Sequence, residues 1–253
     1  MTPEISYPEN FARFYDVLYA HLRTVDRDYF LRKIKEVDGP VLEIGVGTGR
    51  FFVDALSKGA DIYGIDVSPT MLSQLYQKLD KKHHHRVVQQ DARSLDLQRK
   101  FELIIAPFRV FSHITTAQDQ LEALNQVYEH LRPGGQFIFD LYVPDLSILL
   151  NGITDQVDFD GEYAPGKRLT RRVSAHSDLI NQVSHITMTL QWEEDGETKT
   201  ESWKMQMRYF FRYELEHLVH RSKLSLRSIY GDYNEGALGP ESKDFIVVCQ
   251  RNS

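Results

Sequence analysis

Apolar and polar residues change rhythm along this chain, and each change marks an element. Over residues 11–36 aromatic and aliphatic side chains recur at helical spacing, through Phe11, Phe14, Tyr15, Leu18, Tyr19, Leu22, Tyr29 and Phe30. From 40 to about 150, short apolar runs alternate with helical stretches, which predicts a parallel, doubly wound α/β sheet. After Asn151-Gly152 the period shortens to two. Segments 168–178, 181–193 and 198–211 alternate polar with apolar residues, as at Val183, Ile186, Met188, Leu190 and Trp192. Asp195-Gly196 between the last two runs predicts a hairpin. Helical spacing returns over 212–223, and strands are expected at 224–230 and 245–250. The expected organisation is one α/β domain built from 1–150 and 212–253. An antiparallel insertion, 151–211, would serve as an acceptor-facing or subunit-contact layer.

The most informative run is Val41-Leu42-Glu43-Ile44-Gly45-Val46-Gly47-Thr48-Gly49-Arg50. It predicts a buried strand, a glycine-rich turn and then a helix. Glycines let the turn bend sharply and approach a ligand closely. A helix start adds unpaired N–H groups and a positive dipole end. Together they place a nucleotide-like ligand at the first strand–helix junction. A dinucleotide fingerprint would need glycine at the sixth position from Gly45, and Arg50 stands there.

Four later runs extend the pattern. Ile62-Tyr63-Gly64-Ile65-Asp66 ends in a carboxylate 21 residues beyond Gly45, near the roughly 20-residue spacing of an acid that binds ribose hydroxyls. Ser68 and Pro69 suit the start of the next helix. Asp66 as a mere helix cap is the plain alternative. Arg86-Val87-Val88-Gln89-Gln90-Asp91-Ala92 again ends in an acid. Phe101-Glu102-Leu103-Ile104-Ile105-Ala106-Pro107 reads as a fourth strand, and Leu131-Arg132-Pro133-Gly134-Gly135 as a turn into a fifth.

With the pattern E-x-G-x-G-x-G and the four runs in order, the chain resembles the class I S-adenosylmethionine-dependent methyltransferases. The resemblance implies an α/β fold with a mostly parallel seven-stranded sheet. It also implies S-adenosyl-L-methionine as cofactor, held by Glu43, Gly45, Gly47, Gly49, Arg50, Asp66, Val67, Met71, Asp91, Ala92 and Pro107. Asp91 would accept from the adenine amine. The segment Phe14-Tyr15-Asp16-Val17-Leu18-Tyr19 resembles the tyrosine-bearing N-terminal helix of sugar N-methyltransferases from antibiotic pathways. This implies that Tyr15 and Tyr19 cover the cofactor, with Tyr15 near the reacting centre. His113 follows the fourth strand and is the candidate general base or acceptor-orienting group. It stands where those proteins carry a tyrosine.

Composition narrows the class. Hydrophobic residues make up 42% and charged residues 26% of 253 residues, ordinary for a globular protein. A net charge of −6 argues against broad nucleic-acid binding. No apolar run nears the ~18 residues needed to span a membrane. Met1-Thr2-Pro3-Glu4 lacks the start of a secretory signal, so the cytoplasm is expected. The single cysteine, Cys249, lies in an apolar run and reads as a core residue. His83-His84-His85 reads as an exposed helix end, and no metal site is expected. Arg109 and Arg208 are candidates for binding an acidic substrate.

The leading expectation is methyl transfer to N or O of a small-molecule acceptor. A dimer through the insertion is possible. Methylation of RNA or protein is the alternative. Against it stands Ala106-Pro107-Phe108-Arg109, where base- and amide-methylating relatives carry Asn/Asp-Pro-Pro-aromatic. A non-catalytic cofactor-binding protein is the third reading.

Overall fold

The structure is a computed structural model that describes residues 7–19 and 24–252. Two helices lead, α1 (Glu9–Tyr19) and α2 (Thr24–Lys35). The main sheet then builds from β1 (Val41–Ile44), α3 (Phe52–Ser57), β2 (Ile62–Asp66), α4 (Pro69–Lys78), β3 (Val87–Gln89), β4 (Phe101–Ala106), α5 (Ala117–His130) and β5 (Leu131–Tyr142). α6 (Leu146–Asn151) leads into a second sheet of β6 (Ile153–Ala164), β7 (Lys167–Asp178), β8 (Val183–Glu194) and β9 (Glu197–Arg208). α7 (Arg212–Arg221), β10 (Ser225–Tyr230) and β11 (Asp244–Gln250) complete the chain's described part.

The seven-stranded sheet runs in the order β10-β11-β5-β4-β1-β2-β3. β1 to β5 pair in parallel, and β11 lies antiparallel to both β5 and β10. The order reverses between β1 and β4, which opens a crevice at the carboxyl ends of those strands, the usual ligand position in such sheets. The strands are apolar on both faces because both faces are covered. Leu42, Ile104, Phe137 and Phe139 enter one core. Val41, Leu103, Ile105 and Ile138 enter the other. A third cluster joins α1 to the second sheet, through Phe11, Phe14 and Leu18 against Leu169, Leu190 and Trp192.

Three details depart from the sequence reading. The helical pattern over 11–36 is two helices, and Leu22 lies outside the described residues. The inserted layer has four strands of 12 residues each, where alternation predicted three. The extra strand, β6, is an edge strand carrying Asp155, Asp158, Asp160 and Glu162. Its register against β7 shifts repeatedly, and Asp155 sits at φ 46°. Charge and bulges suit an edge that must resist further pairing, and they erase the alternation. Finally, α3 starts only at Phe52 and spans six residues, so the loop 45–51, not a helix start, follows the strand, and its Gly45, Val46, Gly47 and Gly49 N–H groups are already donated within the protein.

Candidate active site

A cavity of about 1090 Å³ lies between the carboxyl ends of β1, β2 and β4, α1, and the inner face of the second sheet. Its wall at β1 is the glycine turn. Gly45 and Val46 both donate to the Ile65 carbonyl, at 2.8 and 2.9 Å. Gly45 is left-handed at φ +71°, and a Cβ there would sit 2.4 Å from a Val110 methyl. Only glycine meets both conditions.

Asp66 closes the turn from the neighbouring strand. One carboxylate oxygen accepts from Gly47 N at 2.8 Å, the other from Ser68 N at 2.8 Å. Burial raises the Asp66 pKa, and the N–H groups of Ser68, Gly47 and Val67 oppose that rise. A carboxylate has about four acceptor positions, so these three N–H donors leave capacity for about one further hydroxyl. Ser68, not Asp66, caps α4, accepting from Met71 N at 3.4 Å.

Glu43 lies deeper, 1% exposed, and its Oε2 has no hydrogen-bond partner among the described residues. Burial holds its pKa well above the usual carboxylate range. The Asp66 charge adds to that rise, and Arg50 opposes it. Ionising a carboxyl so buried is costly unless a cation lies beside it.

The remaining expected cofactor residues divide. Gly45, Gly47, Val67, Met71, Ala92 and Pro107 all line the cavity, with Glu43, Asp66 and Asp91. Gly49 does not line it, a correction. Its φ is +89°, and a Cβ would meet Leu75 at 2.4 Å, so this glycine lets α4 pack against the loop. Arg50 borders the cavity, but its guanidinium forks onto Asp26 of α2 at 2.7 and 2.9 Å. Asp26 is fully buried. Asp91 is occupied too: Arg93 donates to it from Nε at 3.0 Å and from its backbone N at 2.8 Å. Partial burial works against ionisation, but these bonds prevail and lower its pKa. An amine at Asp91 therefore competes with Arg93.

α1 roofs the cavity. Tyr7, Tyr15 and Tyr19 line it in a chain of ring contacts, 6.1 Å between the first two and 4.6 Å between the last two. Burial raises the Tyr15 pKa well above its usual value, so the phenol stays neutral. The helix is tied to the glycine turn because Thr48 Oγ1 donates to Asp16 at 2.6 Å, and Lys78 bridges Asp16 and the Thr48 carbonyl. Arg171 of β7 sits over the Tyr19 ring at 4.7 Å and forks onto Asp158 at 2.8 Å, which joins the second sheet to the roof.

The segment after β4 forms the far wall. Phe108 and Arg109 are both left-handed, at φ 59° and 64°, a strained pair for non-glycine residues. Asp140 of β5 accepts from Arg109 N at 3.2 Å and from the Tyr233 hydroxyl at 2.7 Å. Arg109 also pairs with Asp244. His113 lines the cavity at the end of this segment. Its buried Nδ1 has no hydrogen-bond partner among the described residues. Burial lowers its pKa to about 4, so at neutral pH the imidazole is uncharged. The candidate acid-binding Arg208 is committed elsewhere: it pairs with Glu214 and donates to the Asn181 carbonyl.

The sequence reading missed Tyr7, Thr48, Val110, Asp140 and the inward residues of the second sheet. Only the last left a signal, because Trp203, Met205 and Met207 alternate with charged and polar neighbours. His83, His84 and His85 lie in a short 3₁₀ turn away from the cavity, with His84 packed on Tyr76 at 4.8 Å.

Residues 41–135 match a family described as a methyltransferase domain. A glycine/sarcosine N-methyltransferase of Parasynechococcus marenigrum is 31% identical over 117 residues, 45% of this chain and 42% of that protein. The chain spans about half the length of the curated relatives it matches. Among solved structures, an S-adenosylmethionine-dependent methyltransferase from Clostridium acetobutylicum superposes with a TM-score of 0.79 at 19% identity, covering 96% of this chain and 98% of that one. The sugar N-methyltransferase KedS8 from Streptoalloteichus gives 0.74 at 18% identity, covering 94% and 93%. At such identities the likeness is one of fold, and it includes the second sheet.

Proposed function

We propose that this chain, a class I S-adenosylmethionine-dependent methyltransferase by its domain and fold, moves a methyl group to nitrogen or oxygen of a small-molecule acceptor. The observation that carries the reading is the pairing of a buried, unpartnered Glu43 carboxyl with the Gly47–Asp66 contact at one end of a cavity roofed by tyrosines. That set suits a cationic nucleoside. Glu43 is the partner for positive charge, Asp66 the acceptor for a ribose hydroxyl, and the 45–47 turn the surface the ligand approaches. Ala92 and Pro107 would flank the adenine. When bound, S-adenosyl-L-methionine supplies a methyl already activated by positive sulfur.

The chain's own residues then have to orient the acceptor and exclude water. Alignment of that kind is worth about 7–11 kcal/mol. Tyr15 and Tyr19 close the roof over the cavity, and the neutral Tyr15 phenol can donate or accept. His113, with a pKa of about 4, holds a proton too weakly to deprotonate an ammonium at neutral pH. It suits an orienting role toward an acceptor that arrives as a free amine or hydroxyl.

A cavity roofed by α1 and relatives named for small-molecule acceptors favour a small acceptor over RNA or protein. The inserted layer, residues 151–211, is assigned to shaping that acceptor's space. One free, buried cysteine fits a reducing compartment, so the cytoplasm is the proposed location.

The test is methyl-labelled S-adenosylmethionine offered with separate small-metabolite, protein and RNA pools. Label in the metabolite pool supports the reading. Label in protein or RNA alone overturns the acceptor class.

A further inference from the structure

The reading above leaves the acceptor's chemistry open, and the second sheet bears on it. Side chains alternate across a strand, and the register fixes which positions share a face. Ile186 faces Met205 across β8 and β9, Met188 faces Trp203, and Ser184 faces Met207. These residues border the cavity. Met188 and Trp203 also pack against the cluster that docks α1, so this face is the inner one. The inward positions of β7, β8 and β9 that border the cavity carry no charge. All four methionines among the described residues, Met71, Met188, Met205 and Met207, border this one cavity. Thioether side chains are flexible and polarisable and mould to apolar ligands.

The cations near the cavity point the same way. Arg50, Arg93 and Arg109 each already hold a carboxylate, on Asp26, Asp91 and Asp244. Lys204 borders the cavity from a strand position on the opposite, exposed face. A phosphorylated acceptor would find each of these guanidinium charges already balanced by a carboxylate. The cavity of about 1090 Å³ is shared between the cofactor end and this floor, and it exceeds the roughly 300–1,000 Å³ of a pocket for one drug-sized ligand.

We propose that the acceptor carries an aromatic or alicyclic body that lies on the Met188–Met205–Trp203 floor, with its nucleophilic nitrogen or oxygen turned toward His113. The proposal rests on the methyltransferase reading. The floor sets acceptor preference, excluding sugar nucleotides and small amino acids.

The test uses protein loaded with S-adenosylhomocysteine and titrated with 1-naphthol, thymidine diphosphate and glycine in turn. Saturable binding of 1-naphthol is expected, with thymidine diphosphate and glycine at least tenfold weaker. Met188→Asp, Met205→Asp and the milder Met205→Gln should each weaken naphthol binding, the two aspartate variants at least tenfold. S-adenosylhomocysteine affinity should stay within about twofold and thereby reports an intact fold. Binding of thymidine diphosphate or glycine without 1-naphthol overturns the proposal. So does naphthol binding indifferent to all three substitutions. Failure of the unaltered protein to bind S-adenosylhomocysteine is a separate result that removes the methyltransferase reading itself.

Discussion

The backbone N–H of Gly47 donates to the carboxylate of Asp66 at 2.8 Å. The turn after the first strand is thus held by the acid that ends the second, and both border the same cavity. On the proposed reading, the carboxylate that orders this backbone also binds the ligand.

Glu43 should make cofactor binding pH-dependent. Burial keeps its carboxyl protonated above the usual range. A cation bound beside it favours the ionised form, so binding releases a proton and affinity rises with pH until Glu43 is ionised in the free protein. Calorimetry of S-adenosylmethionine in buffers of different ionisation enthalpy should detect the proton. Glu43→Gln should abolish the release and weaken binding. Equal proton release in that variant would remove Glu43 from this role.

His113 should cost stability in acid. Its pKa is about 4 in the folded protein, against about 6.5 in an unfolded chain. The unfolded state therefore binds the extra proton between those values. Stability is complete above about pH 6.5 and falls as pH drops toward 4, by of order 3 kcal/mol. Urea unfolding at several pH values in that window should show a shallower decline for His113→Gln. An identical decline in both proteins would contradict the assignment.

The same substitution separates orienting from base catalysis. Loss of a general base typically costs 10²–10⁴ in rate. An orienting His113 predicts a fall in kcat for His113→Gln of less than about a hundredfold. A larger fall with unchanged KM would restore the base assignment.

Much of the cofactor half was legible because its parts are close in sequence. Strand, turn and acid follow one another from Val41 to Asp66, and each has a local cause: apolar runs, positive-φ glycines, a carboxylate at a strand end. Gly49 shows the limit, because its spacing fits a ligand turn while its packing partner, Leu75, is set by how α4 docks. Contacts made between distant segments left no local trace. Arg50 looked like a ligand residue, yet Asp26, on a helix before the sheet, claims it. Asp140 meets Tyr233 93 residues away. β6 went unread because acidic residues and register shifts replace alternation on an edge strand.

Tyr233 illustrates the energetic weight of such a contact. Its hydroxyl donates to Asp140 at 2.7 Å in a buried setting, and Asp140 also accepts from the strained Arg109 backbone. Tyr233→Phe should lower unfolding free energy by about 1–3 kcal/mol, read by urea denaturation. It should also speed hydrogen exchange over residues 108–113. Unchanged exchange there would mean that Asp140 holds the segment without Tyr233.

The central claim is that S-adenosylmethionine binds at the Gly45–Asp66 junction, and one titration tests it most directly. Isothermal calorimetry of S-adenosylmethionine would compare the unaltered protein with Asp66→Ala, with urea unfolding to confirm that the variant folds. Charge-assisted hydrogen bonds are each worth about 1.5–3 kcal/mol, so at least a tenfold loss of affinity is expected. Equal affinity in a folded Asp66→Ala protein, or no binding to the unaltered one, would contradict the account.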